Sequence, residues 1–342
     1  MSAARAQAAG AAPAARHRHP IILVWRIFDR LGPLLMLLLI LAGMSVAYPG
    51  FVTADNLLTI GLQATTRAIL AIGVTLVIVS GGVDLSVGTV MSLAMVAMGV
   101  AVIDHGLPLA LGLLVPPLVG AAAGIVNGAL IAFGGLPPFI ATLGMLGIAQ
   151  GLALTLSNGL SMYGFPPGFE LIGGGQLAGL PVPLLILALV AGLMLYVFHQ
   201  TPTGRYAFGL GGNEEAVRRS GIAVPWLKVR IYVISGALAG VASVVLASRI
   251  NSAHPGVGFG YELDAIAAAV IGGASLSGGR GTVLGAIVGA LIMATIRFGL
   301  NVLGMSPFLQ QIAVGAILIV AVLLDNLRSR QDARLDKLWA NR

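Results

Sequence analysis

The sequence predicts an all-α polytopic membrane protein of about ten transmembrane helices, with an internal repeat and both termini in the cytoplasm. Three observations predict it. Apolar residues make up 58% of the 342 and charged residues 9%, against about 25% charged in an average soluble domain, and mean hydropathy is +0.98. The apolar residues gather into runs near the roughly 17 to 25 residues that a helix needs to cross the hydrocarbon core, and not into the alternating segments of about ten that build a membrane barrel. Sixteen of the nineteen Lys and Arg residues fall on one side when the runs are threaded from a cytoplasmic N-terminus, as the excess of basic residues on cytoplasmic flanks requires.

Residues 1–30 precede the first apolar run. Rich in Ala, Arg and His at their start, they read as a mobile cytoplasmic tail. A cleaved signal peptide is not expected, because the run at Leu31 follows a lead too long for an n-region. A transmembrane domain follows at 31–327, with spans at 31–48, 56–81, 85–103, 107–133, 137–157, 182–199, 227–249, 261–276, 281–303 and 307–326. The span at 261–276 is short for a crossing of its own. Two longer connections interrupt the spans: an outer loop at 158–181, full of Gly and Pro, and an inner loop at 201–226 that carries much of the charge. Residues 328–342 form a cytoplasmic C-terminal tail.

Charge supports this threading. The inner segments collect Arg5, Arg16, Arg18, Arg26 and Arg30, then Arg205, Arg218, Arg219, Lys228 and Arg230, then Arg280, then Arg328, Arg330, Arg334, Lys337 and Arg342. Arg67, Arg249 and Arg297 fall elsewhere. Membrane flanks therefore explain the net charge of +7 better than a nucleic-acid partner would. Without cysteine there are neither disulfides nor thiolate metal sites, and the five histidines show no metal-ligand spacing. No metal, cofactor or catalytic constellation is expected in this chain. A Walker-type phosphate loop is missing as well, so any driving force is expected from a gradient or from another polypeptide.

An internal echo links Gly81-Gly82-Val83-Asp84-Leu85-Ser86-Val87-Gly88 with Gly272-Gly273-Ala274-Ser275-Leu276-Ser277, each following one apolar helix and opening another. Repeated halves with Gly-broken helices suit transporters, where freed backbone groups line a cavity. Ordinary turns that converged on Gly and a polar cap would look the same.

The inner loop contains a short helix signal. Asn213 suits an N-cap, Glu214 and Glu215 complement the helix dipole, and Gly221 suits the position after the C-cap. Glu214 with Arg218 and Glu215 with Arg219 are spaced i,i+4, each pair contributing about 0.2–0.5 kcal/mol. Two turns are marginal alone, so the element either docks on a partner or the membrane face, or stays a solvated loop helix. Glu215-Ala216 through Gly221 resembles the E-A-x-x-x-x-G element of ABC importer permeases, the cytoplasmic helix that docks into the ATPase subunit.

Further blocks resemble the ribose, xylose and galactose branch of that family, in order from residue 50 to 325. They include Ser80 to Gly88, Leu136-Pro137-Pro138-Phe139-Ile140-Ala141-Thr142-Leu143-Gly144, Ser235-Gly236-Ala237-Leu238-Ala239-Gly240, Tyr261 to Ala267 and Gly272 to Gly281. Departures are Val83, Thr89, Arg219 and Arg67. The resemblance implies the permease subunit of a binding-protein-dependent, ATP-driven monosaccharide importer in a bacterial inner membrane. It also implies a second permease subunit, identical or paralogous, an ATPase subunit that carries ATP and Mg, and a periplasmic or lipid-anchored substrate-binding protein. Nucleosides, branched-chain amino acids and furanose signals are alternative cargoes, and a gradient-driven secondary transporter is the rival class, with Asp84 or Glu262 as carrier.

A charge at the bilayer centre costs roughly 2.5–3.5 kcal/mol on insertion scales, so Arg67, Asp84, Glu262, Asp264 and Arg297 each need a reason to be there. A translocation path or gate is one such reason. The others are an N-cap role for Asp84 on the third helix, and dipole complementation by Glu262 and Asp264. Amides Gln63, Asn127 and Asn301, with Gln150, Gln310 and Gln311, could line a path for hydroxyl-rich cargo or hold helices together.

Overall fold

The computed structural model describes the backbone from residue 20 to 340 and the side chains from residue 31 to 325. The tails expected at 1–30 and 328–342 lie outside the described side chains. Residues 1–32 and 33–342 are distinct compact units, and the first is described only as helical backbone from Pro20.

Helices dominate. In chain order they are α1 (Pro20–Ala47), α2 (Ala54–Val79), α3 (Val87–Gly99) extended by a π turn (Val100–Asp104), α4 (Leu109–Gly112), α5 (Val115–Ala132), α6 (Pro138–Leu156) and α7 (Glu170–Gly174). A two-residue antiparallel hairpin, β1 (Gln176–Leu177) and β2 (Leu180–Pro181), precedes α8 (Val182–Gln200). Then come α9 (Pro202–Gly212), α10 (Glu214–Arg219), α11 (Val224–Ile250), α12 (Tyr261–Ile271), α13 (Val283–Val302) and α14 (Pro307–Ala340).

Among the described residues, eight helical stretches are long and apolar enough to cross a membrane, and Leu31–Ala47 adds a shorter apolar one. The all-α polytopic reading holds. Three details differ from the sequence expectation. Residues 261–276 make an eleven-residue helix, α12, followed by non-helical chain to Thr282; at 1.5 Å per residue that spans about 17 Å, roughly half the hydrocarbon core. Residues 107–133 make two helices, because Pro116 and Pro117 lack the N–H groups that would carry α4 into α5. The inner loop is largely helical: α9 fills much of it.

At the centre stands α2, buried at every residue from Ala64 to Val79, as expected of a helix that is apolar all round. Against it pack α11, α12 and α13, while α3 packs on α11 and α12. The outer helices α5, α6, α8 and α14 turn Leu118, Phe139, Leu189 and Phe308 outward, which suits a lipid solvent. The crossing of α5 and α11 brings backbones into contact: a Cβ at Gly120 would collide with the carbonyl of Gly236, and one at Gly124 with that of Tyr232. Small residues permit such close approach between membrane helices.

Candidate functional site

Two regions hold the expected functional residues. The first is the α9–α10 segment. Thr201 caps α9 through Oγ1, which accepts from the Gly204 amide at 3.4 Å. Asn213 ends α9 and starts α10, its Oδ1 accepting from the Ala216 amide at 2.9 Å. The expected pairs are both formed, Arg218 to Glu214 and Arg219 to Glu215, each at 3.0 Å. Gly221 terminates the helix at φ +79°, a conformation that side chains with a Cβ resist. Val217 is the buried residue of α10, packed over Gly209 of α9. Glu215, Ala216, Arg218, Arg219 and Ser220 face outward.

One contact had no signal in the sequence: Lys228 of α11 donates to both carboxylate oxygens of Glu214 at 3.0 Å. Partial burial pushes the Glu214 carboxyl up, but the hydrogen bonds and charges of Lys228 and Arg218 outweigh it and hold the group below its ordinary value.

The segment is tied to the membrane helices at Gly211. A Cβ there would collide with the Val79 carbonyl at the end of α2 and the Gly279 amide of the second Gly-rich break. Those two groups are hydrogen-bonded to each other at 2.8 Å. The two echoed breaks therefore meet, and the α9–α10 segment sits on their junction. Asp325 of α14 fastens the second break from another side, accepting from the Ser275 hydroxyl at 3.3 Å and the Leu276 amide at 3.1 Å.

The second region is a set of buried polar residues. In the first break, Asp84 accepts from the Ser86 amide (3.0 Å) and hydroxyl (2.7 Å) through Oδ1, and from the Ser235 hydroxyl of α11 (3.2 Å) through Oδ2. Asp84 is thus not the N-cap of α3. Ser86 holds that position and makes no side-chain cap; the carboxylate closes the turn itself, as Asx residues do. Asn127 of α5 donates to the Ser86 hydroxyl at 2.9 Å, and its Oδ1 has no partner among the described residues.

Beyond the second break's helix lies a charged cluster. Asp264 of α12 accepts from Arg67 Nε at 2.8 Å and from Arg297 of α13 at 2.7 Å. Arg67 also donates to the Gln63 carbonyl at 3.1 Å, and its guanidinium lies 4.9 Å from the Tyr261 ring centroid, within cation–π range. Glu262 points away from this cluster. Its Oε1 accepts from the Gly260 amide at 3.0 Å, while its buried Oε2, without a partner, lies where a Cβ on Gly88 of α3 would be.

The expected path residues therefore separate. Asp84 and Asn127 belong to one cluster, Arg67 and Asp264 to another, and Glu262 lies against α3. Gln63 joins through its backbone only, and Asn301 is exposed at the end of α13. Gln150 bonds the Pro255 carbonyl at 3.2 Å and Gln310 the Met305 carbonyl at 3.1 Å, each tying a helix to a loop. Arg67 and Asp264 are both buried within one copy of the chain, so they lock α2, α12 and α13 together. Among the described residues no group of three or more His, Cys, Asp or Glu is assembled that could hold a metal. Sequence reasoning missed Ser235 and Asp325, since nothing in a single sequence marks a hydroxyl 151 residues from its partner.

Comparison with known proteins adds what geometry does not. Residues 56–322 match the family described as branched-chain amino acid transport system / permease component. The ribose import permease protein RbsC of Bacillus subtilis (strain 168) is 40% identical over 305 residues, 89% of this chain and 94% of the relative. The D-allose transport system permease protein AlsC of Escherichia coli (strain K12) is 34% identical over 304 residues, 89% and 93% of the two chains. The L-arabinose ABC transporter permease protein AraH of Azospirillum brasilense is 34% identical over 311 residues, 90% and 91%. No solved structure matches.

Proposed function

The chain belongs to the branched-chain amino acid transport system / permease component family, and from that premise we propose that it is the membrane-spanning permease subunit of an ATP-driven, binding-protein-dependent ABC importer for a monosaccharide. The observation that carries the reading is the likeness to ribose, allose and arabinose permeases over nearly the whole chain. It is a transport subunit and not an enzyme. ATP and Mg belong to a separate ATPase subunit, cargo selection to a binding protein outside the bacterial inner membrane, and the pathway to two permease subunits side by side. Both termini and α10 face the cytoplasm in this arrangement.

The physical support for coupling is the contrast between what α10 needs and what it has. Its surface pairs contribute a few tenths of a kcal/mol each, and one buried valine and the Glu214–Lys228 pair anchor it, yet its outer face carries three charged side chains and a capped end. A docked ATPase would cover that face. Movement of α10 would then reach α9, press on the junction of Val79, Gly211 and Gly279, and tilt α2. Since Arg67 rides on α2 and grips Asp264, the same movement would reach α12 and, through Arg297, α13.

Gentle-detergent purification of the tagged chain from its native membranes tests the reading, with mass spectrometry of what travels with it. A Walker-motif ATPase and a binding protein that holds a pentose or hexose are the expected companions. The chain alone, with uptake that follows a proton gradient and depends on Glu262, would replace the importer by a secondary transporter.

A further inference from the structure

A cavity of about 290 Å³ opens beside the end of α10, lined by Thr203 and Tyr206 of α9, the Gly221–Ala223 turn, and Trp226, Leu227 and Arg230 of α11. We propose that it binds the phosphodiester headgroup of an anionic phospholipid, with Arg230 as the charge that selects it.

Three independent features converge on that ligand. The first is an unmatched charge. Arg230 is exposed, lies six residues inside the membrane-spanning stretch Val224–Ile250, and has no hydrogen-bond or ion-pair partner among the described residues. The carboxylate of Glu214 is taken by Arg218 and Lys228. Residues 201–230 hold five basic and two acidic side chains, so the neighbourhood has a surplus of positive charge that an anion offsets.

The second is the depth of the cavity. Trp226 is 59% exposed and Tyr206 39%, and Trp226 meets the ring of Phe133, itself 58% exposed, edge-on at 5.3 Å. Exposed amphipathic rings at the ends of spans mark the headgroup level, which places the cavity where lipid phosphates lie, with Phe133 and Trp226 available to acyl chains.

The third is the helix end itself. Ala223, the N-cap of α11, supplies no side-chain cap; the Val224 amide bonds to the Ile222 carbonyl and Pro225 has no N–H, so the Trp226 amide is the first-turn donor left for a phosphate oxygen, with the helix dipole behind it. The hydroxyls of Thr203 and Tyr206 add neutral donors.

Brominated lipids test this on the purified full chain, without an ATPase or cargo. Replacing Trp25 and Trp339 by Phe leaves Trp226 as the reporter. In phosphatidylcholine nanodiscs, trace brominated phosphatidylglycerol should quench Trp226 about fivefold more effectively than trace brominated phosphatidylcholine, the preference one basic side chain gives beside an anionic headgroup. Arg230→Gln should abolish the preference, while Arg205→Gln, outside the cavity, should keep most of it. Equal quenching by the two lipids, or a preference that survives Arg230→Gln, overturns the proposal. So does relief of quenching by millimolar inorganic phosphate, which would make the site one for free phosphate. None of these results bears on whether the chain imports sugar.

Discussion

Arg218 and Arg219 of α10, and Arg67 and Arg297 of α2 and α13, make the same chemical pair with carboxylates in opposite surroundings. In α10 the pairs are 3.0 Å long with side chains 39–79% exposed. Around Asp264 the distances are 2.7 and 2.8 Å, with the carboxylate 1% exposed. Water and salt screen the first set, leaving about 0.2–0.5 kcal/mol per pair. The second set cannot fall back on solvent, and removal of one partner from a buried pair costs about 3–5 kcal/mol. The difference teaches where each region's work is done: the Asp264 cluster fixes the relation of three membrane helices, whereas α10 is held loosely and presents its charges outward.

The largest expected effect breaks the buried side of that comparison. Asp264→Ala leaves two guanidinium groups facing each other without a counter-charge and should lower unfolding free energy by about 3–5 kcal/mol. Asp84→Asn, among neutral donors, should cost only about 1–2 kcal/mol; thermal unfolding in detergent compares them, and equal losses would show that the charge cluster is not special.

Next in size is the junction between the regions. Gly211→Val forces a side chain into the Val79 carbonyl and the Gly279 amide, a clash of about 1–3 kcal/mol. It should release α9, seen as faster proteolysis within 201–226 while the membrane helices stay protected. Asn213→Ala, which removes the cap shared by α9 and α10, should cost about 1 kcal/mol and appear as faster hydrogen exchange at the Ala216 amide.

The smallest effect is one of pH. Glu214 titrates below its ordinary value because Lys228 and Arg218 hold the anion against partial burial. Its contribution is therefore complete above the unfolded glutamate value and is lost as pH falls through the lower folded one. Hydrogen-exchange protection factors over 213–221, which correct for the intrinsic pH dependence of exchange, should be unchanged from neutral pH to the top of the ordinary glutamate range and fall only below it. With Lys228→Met the fall should begin at higher pH.

What the sequence made legible was local. The α10 cap, its two ion pairs and its glycine stop follow from residues three to seven apart, where spacing alone decides contact. The span positions follow from hydropathy, and the shortness of 261–276 is plain from its length, though not that its helix ends at Ile271. Helix α9 was not legible, because Gly204, Gly209, Gly211 and Gly212 argue against a helix on intrinsic propensity. Packing reverses the argument: Gly204 lies against the backbone of Val197 and Phe198, and Gly211 against Val79, where no larger residue fits. Likewise Arg67 announced itself as a charge in a span, but its partner stands 197 residues away, and only the fold brings the two together. Asp84 was misplaced by one turn of reasoning: a carboxylate before a helix suggests a cap, yet two residues of extra chain let it close its own loop and reach Ser235.

The central claim, that α10 is the element through which an ATPase drives this permease, is tested most directly by Glu215→Lys. ATP-dependent sugar uptake and ATP hydrolysis are measured on proteoliposomes that contain the chain with its co-purified ATPase and binding protein. The variant should insert and unfold as the parent does, within about 0.5 kcal/mol, and lose ATP-driven uptake because the docking face has changed sign. Full uptake by Glu215→Lys at the parent's rate would contradict the account, since coupling would then run through some other part of the chain.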